Sequence, residues 1–481
     1  MKIDKEKQKS IIQDCLKEGL KVIRKQKKED KGRDWNWTFE HHSKFPTMSF
    51  KDNGLPSFFL NDYFKIDYSK FLTKDKKYLE IKSWKKYYDF IVENKELREY
   101  FEIVEYSPLM KTVSKDTLEF YSHIYTYFFL ADFVDSFIHL NSLRFNNRVF
   151  TQLFEKYYNS ITINRLEIII VVPIIFLTFD FDEFKISETI SIKRIEEEIQ
   201  LSRNNRQKYN SSAHDSVIGA ATHAFYLNNW FIDNNKKTQR DNNLIDINAF
   251  DKPKRIIENL FASLRLVLSN ETGYYQILSI PVNWQYNGKA ELPEIFVTSK
   301  KKYPDKFENY GWNNSIPLIN KAQLLNLNSL FEKLSNDYFS LAIKRLNSAF
   351  IRKNDEDSII DITIALESLL TNDSNSEITY RLSTRVAQLC KLKQFKDYST
   401  QQVFNFCKKI YSYRSAVVHG DIKRIKKTRK IIIEKSKEIE IIEISTDLLK
   451  HIIIVMMENN ISSTKEIDEL MMKKAQHPTK N

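Results

Sequence analysis

The sequence predicts an α+β fold, in which a mixed helix and strand N-terminal region is followed by an all-α helical-bundle C-terminal domain. Eight glycines and ten prolines in 481 residues are far below the usual combined share of about 12%, which favours long helices. Residues 168–177 are rich in β-branched side chains, which is typical of a buried strand. Residues 320–419 contain no glycine or proline, which indicates consecutive helices.

The first third of the chain is predicted to be mostly helical. Residues 1–30 form a lysine-rich amphipathic pattern, residues 31–70 are irregular or strand-containing, and residues 75–160 favour helices. The apolar residues of the first helix recur at helical spacing, which predicts that they face a core. These residues are Ile11, Ile12, Cys15, Leu16, Leu20 and Ile23.

The middle of the chain mixes strand and helix patterns. The apolar run 168–177 is too short to span a bilayer and contains Pro173, so a buried strand explains it better than a membrane segment. Alternating apolar residues at 184–192 predict a hairpin. We expect helices at 195–201 and 254–268, and strands at 275–284 and 294–298.

The C-terminal part is predicted to be entirely helical. Helical patterns cover 321–351, 355–371, 376–392, 399–419 and 428–460. The predicted organisation is therefore a mostly helical region 1–165, an α+β sensing or regulatory region 166–319, a helical domain 320–465 and a tail 466–481.

Composition limits the classes of function. The net charge of +12 and the pI of about 9.1 fit a polyanionic partner such as nucleic acid, although a lysine-rich chain that is merely soluble has the same balance. Three cysteines without CxxC spacing predict neither a disulfide framework nor a zinc site. The N-terminus lacks a signal-peptide pattern. We expect a cytoplasmic protein without membrane contact, metal or cofactor.

The segment Tyr411-Ser-Tyr-Arg-Ser-Ala-Val-Val-His-Gly420 carries the strongest chemical signal. Arg414 can bind a phosphate group, and His419 can transfer a proton near neutral pH. Gly420 is expected to end the helix in the left-handed conformation. The alternative interpretation is a capped helix end whose charged side chains are paired at the surface.

Other residues are candidates for supporting roles. Glu367 lies beside an apolar helix face, where a carboxylate needs a cationic partner, and Arg381, Arg385 and Arg414 are the candidates. A role for Glu367 in orienting Arg414 is the second interpretation. Tyr411 fits packing or stacking on a base.

Three motifs together resemble a known family. They are Ala365-Leu-Glu-Ser-Leu, Arg381-Leu-Ser-Thr-Arg-Val-Ala and the segment from Tyr411 to Gly420. Their order and spacing are similar to the Apea-like HEPN domain of bacterial antiphage proteins, over roughly residues 320–460. Many active HEPN motifs have Asn, Asp or His directly after the arginine, whereas this chain has Ser415.

The resemblance implies a metal-independent endoribonuclease that acts on cellular RNA, with transfer RNA as a plausible target, in abortive infection. It implies Arg414 and His419 as catalytic residues with Ser415, Glu367 and Tyr411 in support. It also implies a homodimer or larger homo-oligomer formed through this domain, and a phage-derived trigger.

The basic residues directly after the motif are the predicted RNA contacts. Cations at a helix N-terminus disfavour the helix, so their presence there suggests binding to RNA phosphate. A solvated basic face is the alternative. These residues are Lys423, Arg424, Lys426, Lys427, Arg429 and Lys430.

Two further functions stay open from the sequence. One is a catalytically silent HEPN module that binds RNA or a protein, which Ser415 leaves open. The other is an N-terminal domain that binds a nucleotide or phage protein, with the helical domain serving only to dimerise.

Overall fold

In a computed structural model, the chain divides into two units that are each assembled from three segments. The first unit comprises Met1–Pro173, Thr189–Ala249 and Gln276–Lys300, and the second comprises Ile174–Glu188, Phe250–Tyr275 and Lys301–Asn481. The structure describes residues 3–29, 49–57, 68–73, 80–98, 115–207, 215–234, 251–268, 270–285, 293–308, 316–371, 377–434 and 437–475.

The α-helices of the described residues lie mostly where the sequence predicts them. They are α1 (Lys5–Glu29), α2 (Ser69–Thr73), α3 (Lys82–Glu93), α4 (Lys115–Asn141), α5 (Asn147–Thr162), α6 (Glu197–Gln207), α7 (Asp215–Ile218), α8 (Asp251–Leu268), α9 (Leu327–Leu334), α10 (Ser340–Ile351), α11 (Asp355–Leu370), α12 (Ile378–Leu392), α13 (Thr400–Val418), α14 (Ile422–Thr428), α15 (Ile441–Glu458) and α16 (Thr464–Ala475).

The strands concentrate in the middle of the chain. They are β1 (Ser49–Phe50), β2 (Pro56–Ser57), β3 (Arg165–Pro173), β4 (Thr178–Phe179), β5 (Glu183–Lys185), β6 (Ile190–Arg194), β7 (His223–Asp233), β8 (Tyr274–Pro281), β9 (Phe296–Lys302), β10 (Leu318–Ile319), β11 (Lys430–Glu434) and β12 (Lys437–Glu440).

Helices α1 to α5 of the first unit share one apolar core. All six apolar residues predicted to face the core from α1 are buried. The indole N–H of Trp84 on α3 donates to the carbonyl of Cys15 on α1 at 3.1 Å, and the hydroxyls of Tyr87 and Tyr157 are 3.1 Å apart. These three buried polar side chains therefore find partners inside the helical core. The predicted irregular region 31–70 lies largely outside the described residues.

A six-stranded sheet has the strand order β5-β6-β7-β3-β8-β9. Strand β3 pairs antiparallel with β7 and with β8, so that Val171 lies opposite Tyr226 and Leu278. The inner residues Ile170 and Val171 are buried, as expected for a central strand covered on both faces.

Helices α8 to α13, α15 and α16 of the second unit contribute to another apolar core. The predicted buried face of α11 is confirmed, because Ile359, Ile362, Leu366 and Leu369 are at most 1% exposed. This core holds α13, the helix that carries Arg414, against α11 and α12. The structure confirms the predicted α+β fold class.

One predicted helix is wrong in its first part. Residues 430–440 of the range 428–460 form the antiparallel hairpin of β11 and β12, and α15 begins only at Ile441. The run Ile431-Ile432-Ile433 is β-branched, which favours a strand. Lys430 lies directly opposite Glu440, so opposite charges also stabilise the pairing.

The range predicted as a tail begins inside a helix. Ile467 of α16 is buried in the core of the second unit, and Asp468 accepts two hydrogen bonds from Arg385, at 2.9 and 2.7 Å. Among the described residues, no helix is both long enough and apolar enough to cross a membrane.

Candidate functional site

Helix α13 is capped at both ends, and this fixes the position of the motif. At its N-terminus the Ser399 hydroxyl accepts from the Gln402 amide at 3.2 Å, while the Gln402 side chain accepts from the Ser399 amide at 2.8 Å. This reciprocal pair is a capping box. The helix start is therefore set by its own sequence.

The C-terminus of α13 is a Schellman motif. The Gly420 amide donates to the Val417 carbonyl at 3.1 Å, and the Asp421 amide donates to the Ala416 carbonyl at 2.9 Å. Gly420 has φ +66°, so the left-handed conformation predicted for it is present. His419 is the cap residue and its side chain is exposed, where a substrate can reach it.

Arg414 lies about 1.4 turns before His419, on a half-buried part of the helix. Its Nε atom is buried and makes no hydrogen bond to any described residue. A buried guanidinium N–H without a partner has an unused donor. Because Arg414 as a whole is only half-buried and forms no ion pair with a described residue, its guanidinium is not committed to a protein carboxylate and can bind a phosphate group.

The structure brings Tyr411 and Glu367 together beside Arg414. The Tyr411 hydroxyl donates to Oε1 of Glu367 at 2.9 Å. Burial raises the pKa of Tyr411, and the charge of Glu367 acts in the same direction, whereas the charge of Arg414 lowers it. Arg414 is thus close enough to Tyr411 for their charges to interact.

The expected arginine partner of Glu367 is replaced by this tyrosine. Within the described part of the chain, no ion pair within 4 Å involves Glu367, and Arg385 is bound instead to Asp468. The tyrosine hydroxyl satisfies one carboxylate oxygen without a second charge. Ser415 contributes its carbonyl, which accepts from the His419 amide at 3.1 Å.

Helix α14 presents a basic surface directly after the motif. Asp421 caps it by accepting from the Arg424 amide at 3.0 Å, and the helix has no buried residue. Lys423, Lys426 and Lys427 are exposed and form no ion pair with any residue that the structure describes. These three lysines are available to an anionic partner.

The other three predicted RNA contacts already have partners. Nη2 of Arg424 donates to the Ser412 hydroxyl at 3.0 Å. Arg429 pairs with Asp355, and Lys430 pairs with Glu438 at 3.1 Å. The six basic residues therefore fall into two sets with different surroundings.

Tyr413 is a site residue that the sequence did not indicate as such. It is fully buried, directly precedes Arg414, and its hydroxyl has no hydrogen-bond partner among the described residues. Burial raises the pKa of Tyr413 to about 12, and the charges of Glu356 and Asp355 act in the same direction. The acidic first turn of α11, Asp355-Glu356-Asp357, was the available signal.

The described residues contain no group of three or more His, Cys, Asp or Glu side chains that could hold a metal ion. The chain matches no protein-family model, no curated protein and no solved structure. The function must therefore be inferred from the geometry of α13 and α14.

Proposed function

We propose that the second unit is a metal-independent endoribonuclease of the HEPN type. The observation that carries this proposal is the arrangement on α13: Arg414 is half-buried and forms no ion pair with a described residue, and His419 is exposed at the helix end. The exposed lysines of α14 follow within eight residues. Together they supply a phosphate ligand, a proton carrier and an anion-binding surface.

The proposed reaction is an internal transesterification of RNA. The 2′-hydroxyl gives its proton to a solvent base and attacks the adjacent phosphorus, so that a 2′,3′-cyclic phosphate forms as the bond between phosphorus and the 5′-oxygen breaks. Arg414 stabilises the growing negative charge on the phosphate oxygens. His419 gives a proton to the leaving 5′-oxygen, which departs as a 5′-hydroxyl. DNA lacks the attacking group and is therefore inert.

We propose that two copies of the chain form the complete site. The five positions between Arg414 and His419 correspond to a rotation of about 140° on one helix, so one copy directs the two side chains apart. A two-fold interface brings the motif of each copy to a shared cleft. This oligomer is a homodimer or a larger assembly formed through the helical domain.

The cellular role rests on the resemblance to antiphage proteins. We propose a cytoplasmic effector of abortive infection that cleaves cellular RNA, with transfer RNA as one target, after a phage-derived trigger. Glu367 and Tyr411 act by holding the surroundings of Arg414 rather than by touching the substrate.

The test is cleavage of total RNA in EDTA by the purified parent and by Arg414→Ala and His419→Ala variants. We expect both variants to lose cleavage while they keep the parent's circular dichroism spectrum. Lys409→Ala is a matched control, because it removes an exposed cation from the same helix.

Equal cleavage by the parent and both variants would refute the proposal. Binding of RNA by the parent without any product, with or without phage lysate as a source of the trigger, would instead support the catalytically silent module.

A further inference from the structure

Arg429 is held by carboxylates from two separate elements. Its Nη2 lies 2.8 Å from Oδ2 of Asp355 at the start of α11, and its Nε lies 3.4 Å from Oε2 of Glu440 at the end of β12. The charge of Asp355 is the main cause of the raised pKa of Arg429. The guanidinium is thus bound to protein carboxylates in the structure.

Lys430 is bound to the same strand. Its Nζ lies 3.1 Å from Glu438 and 3.9 Å from Glu440. Two of the six predicted RNA contacts, Arg429 and Lys430, are therefore neutralised by carboxylates. The lysines of α14 just before them are exposed and have no such partner among the described residues.

Tyr413 lies within the electrostatic field of this cluster. The charges of Asp355, Glu440 and Arg429 all act on its pKa, and its buried hydroxyl makes no hydrogen bond to a described residue. A buried hydroxyl without a partner is unfavourable.

We propose that Asp355, Glu438 and Glu440 form a latch that holds Arg429 and Lys430 away from RNA until phosphate displaces the carboxylates. The identity of the polyanion as RNA rests on the proposed function. Lys423, Lys426 and Lys427 make the first contact, and Arg429 and Lys430 join when the latch opens.

The strength of the latch suits this role. All the side chains of these ion pairs are between 37% and 54% exposed, and such surface pairs are individually weak and screened by salt. Phosphate oxygens bind arginine in the same bidentate geometry as carboxylates. A polyanion with many phosphates can therefore compete for both cations.

The test compares RNA affinity in a His419→Ala background, so that RNA stays intact. The variant Asp355→Asn/Glu440→Gln opens the latch; Glu440 makes no side-chain cap of α15, so the helix keeps its start. We expect it to bind a single-stranded RNA oligonucleotide roughly three- to tenfold more tightly than the parent, since the three surface pairs of these two carboxylates no longer compete and only Glu438 still holds Lys430.

The matched control is Asp447→Asn/Glu458→Gln. These carboxylates pair with Lys396 and Lys393 and lie on α15, so the control removes the same number of negative charges. We expect its RNA affinity to stay within about twofold of the parent, because these carboxylates pair with Lys396 and Lys393 and not with the cations of the latch. An equal gain in the control would overturn the latch, as would an unchanged or weaker affinity of the latch variant.

Substitution of Arg429 and Lys430, the two cations of the latch, is an independent test, which measures the salt dependence of RNA binding. We expect Arg429→Ala/Lys430→Ala to weaken RNA binding and to reduce the salt slope by about 1.4, because two phosphate contacts on a single strand are lost. An unchanged slope would mean that the two residues never reach RNA, and the latch would be wrong.

A heparin oligosaccharide as the probe separates the latch from the proposed function. If no form of the protein binds or cleaves RNA, the ribonuclease proposal fails. The latch survives that failure only if heparin binds Asp355→Asn/Glu440→Gln more tightly than both the parent and the control. Equal heparin binding by all three would overturn the latch as well.

Discussion

Tyr411 and Tyr413 lie two residues apart on α13, and their hydroxyl groups have different surroundings. Tyr411 donates to Glu367, whereas the hydroxyl of Tyr413 makes no hydrogen bond to a described residue. Both rings are at least nine-tenths buried. The pair therefore isolates the effect of one hydrogen bond at nearly constant burial.

We expect Tyr411→Phe to lower the free energy of unfolding by about 1–3 kcal/mol, because the half-buried carboxylate of Glu367 loses its donor. Tyr413→Phe is expected to leave it unchanged or to raise it by up to about 1–3 kcal/mol, because it removes a buried hydroxyl that makes no hydrogen bond to a described residue. Urea denaturation of the parent and both variants measures the difference. Equal losses in both variants would show that the Tyr411 hydrogen bond contributes nothing.

His451 gives a pH dependence of stability. Its Nε2 lies 2.9 Å from the Lys393 carbonyl, and burial lowers the pKa of His451. As the pH falls, the histidine of the unfolded chain, with a pKa near 6.5, therefore binds a proton at a higher pH than His451 of the folded protein does. This contribution to stability is present above pH ~6.5 and is lost as the pH falls towards the folded-state pKa.

We expect His451→Gln to lose less stability than the parent between about pH 7.5 and about pH 5.5, since glutamine can donate to the same carbonyl without titrating. Urea midpoints at the two pH values report the difference. An identical change in both proteins would mean that His451 does not titrate differently on folding.

At the scale of the elements, Gly420 and Gly273 are required for different physical reasons. Gly420 has a positive φ, but an added Cβ would meet nothing within 4 Å. At Gly273, an added Cβ would lie 1.9 Å from the carbonyl oxygen of Lys302. At Gly420 a side chain is disfavoured by the backbone conformation, whereas at Gly273 a side chain is disfavoured because neighbouring backbone leaves no room for it.

We expect Gly420→Ala to destabilise the protein by about 1–2 kcal/mol, the cost of a left-handed residue with a Cβ. Gly273→Ala is expected to cost more than about 3 kcal/mol, because backbone must move to admit the methyl group. Thermal melts of both variants rank the two effects, and a larger loss for Gly420→Ala would contradict this explanation.

Helix α16 contributes a carboxylate to a buried arginine. Arg385 is 5% exposed, and Asp468 is its ion-pair partner. We expect Asp468→Ala to lower the free energy of unfolding by about 3 kcal/mol, because the buried guanidinium loses its carboxylate and keeps only the Leu370 carbonyl as an acceptor among the described residues.

Glu469→Ala is the matched control for α16, because Glu469 is exposed. We expect it to change stability by less than about 0.5 kcal/mol. Similar effects of the two substitutions in urea denaturation would mean that the ion pair does not stabilise the helix.

Local signals predicted many of these elements. The buried face of α1, the strand at β3 and the end of α13 at Gly420 all follow from short-range patterns in the sequence. The hairpin of β11 and β12 was missed although it pairs residues no further apart than Lys430 and Glu440, because isoleucines mixed with charged residues fit an amphipathic helix as well as a strand. Asp355 was missed for a different reason, since it is 74 residues from Arg429 and local patterns do not encode such a contact.

At the scale of the whole molecule, the division into two units could not be predicted from the sequence. The chain first passes from the first unit to the second between Pro173 and Ile174, within a continuous apolar run. Strand β4 of the second unit pairs in parallel with β10, about 140 residues later in the chain. Pairings over such separations depend on tertiary packing, which local patterns do not encode.

The candidate site contains residues that local sequence predicts and contacts that only the folded structure shows. Arg414, His419 and the lysines of α14 are close in sequence, so one segment predicts them together. Glu367 and Tyr411 were predicted as separate candidates, and the hydrogen bond that joins them is a property of the fold. Tyr413 and the carboxylates around Arg429 appear only when α11, α13 and β12 are seen packed in the same unit.

The most direct test of the central proposal is the chemistry of RNA ends in cells that produce the protein during phage infection. We expect new 2′,3′-cyclic phosphate ends matched by 5′-hydroxyl ends, found by ligation that requires these termini and absent with Arg414→Ala or His419→Ala at equal protein levels. Parent-producing cells without such ends, or the same ends with both variants, would contradict the proposal that Arg414 and His419 cleave RNA.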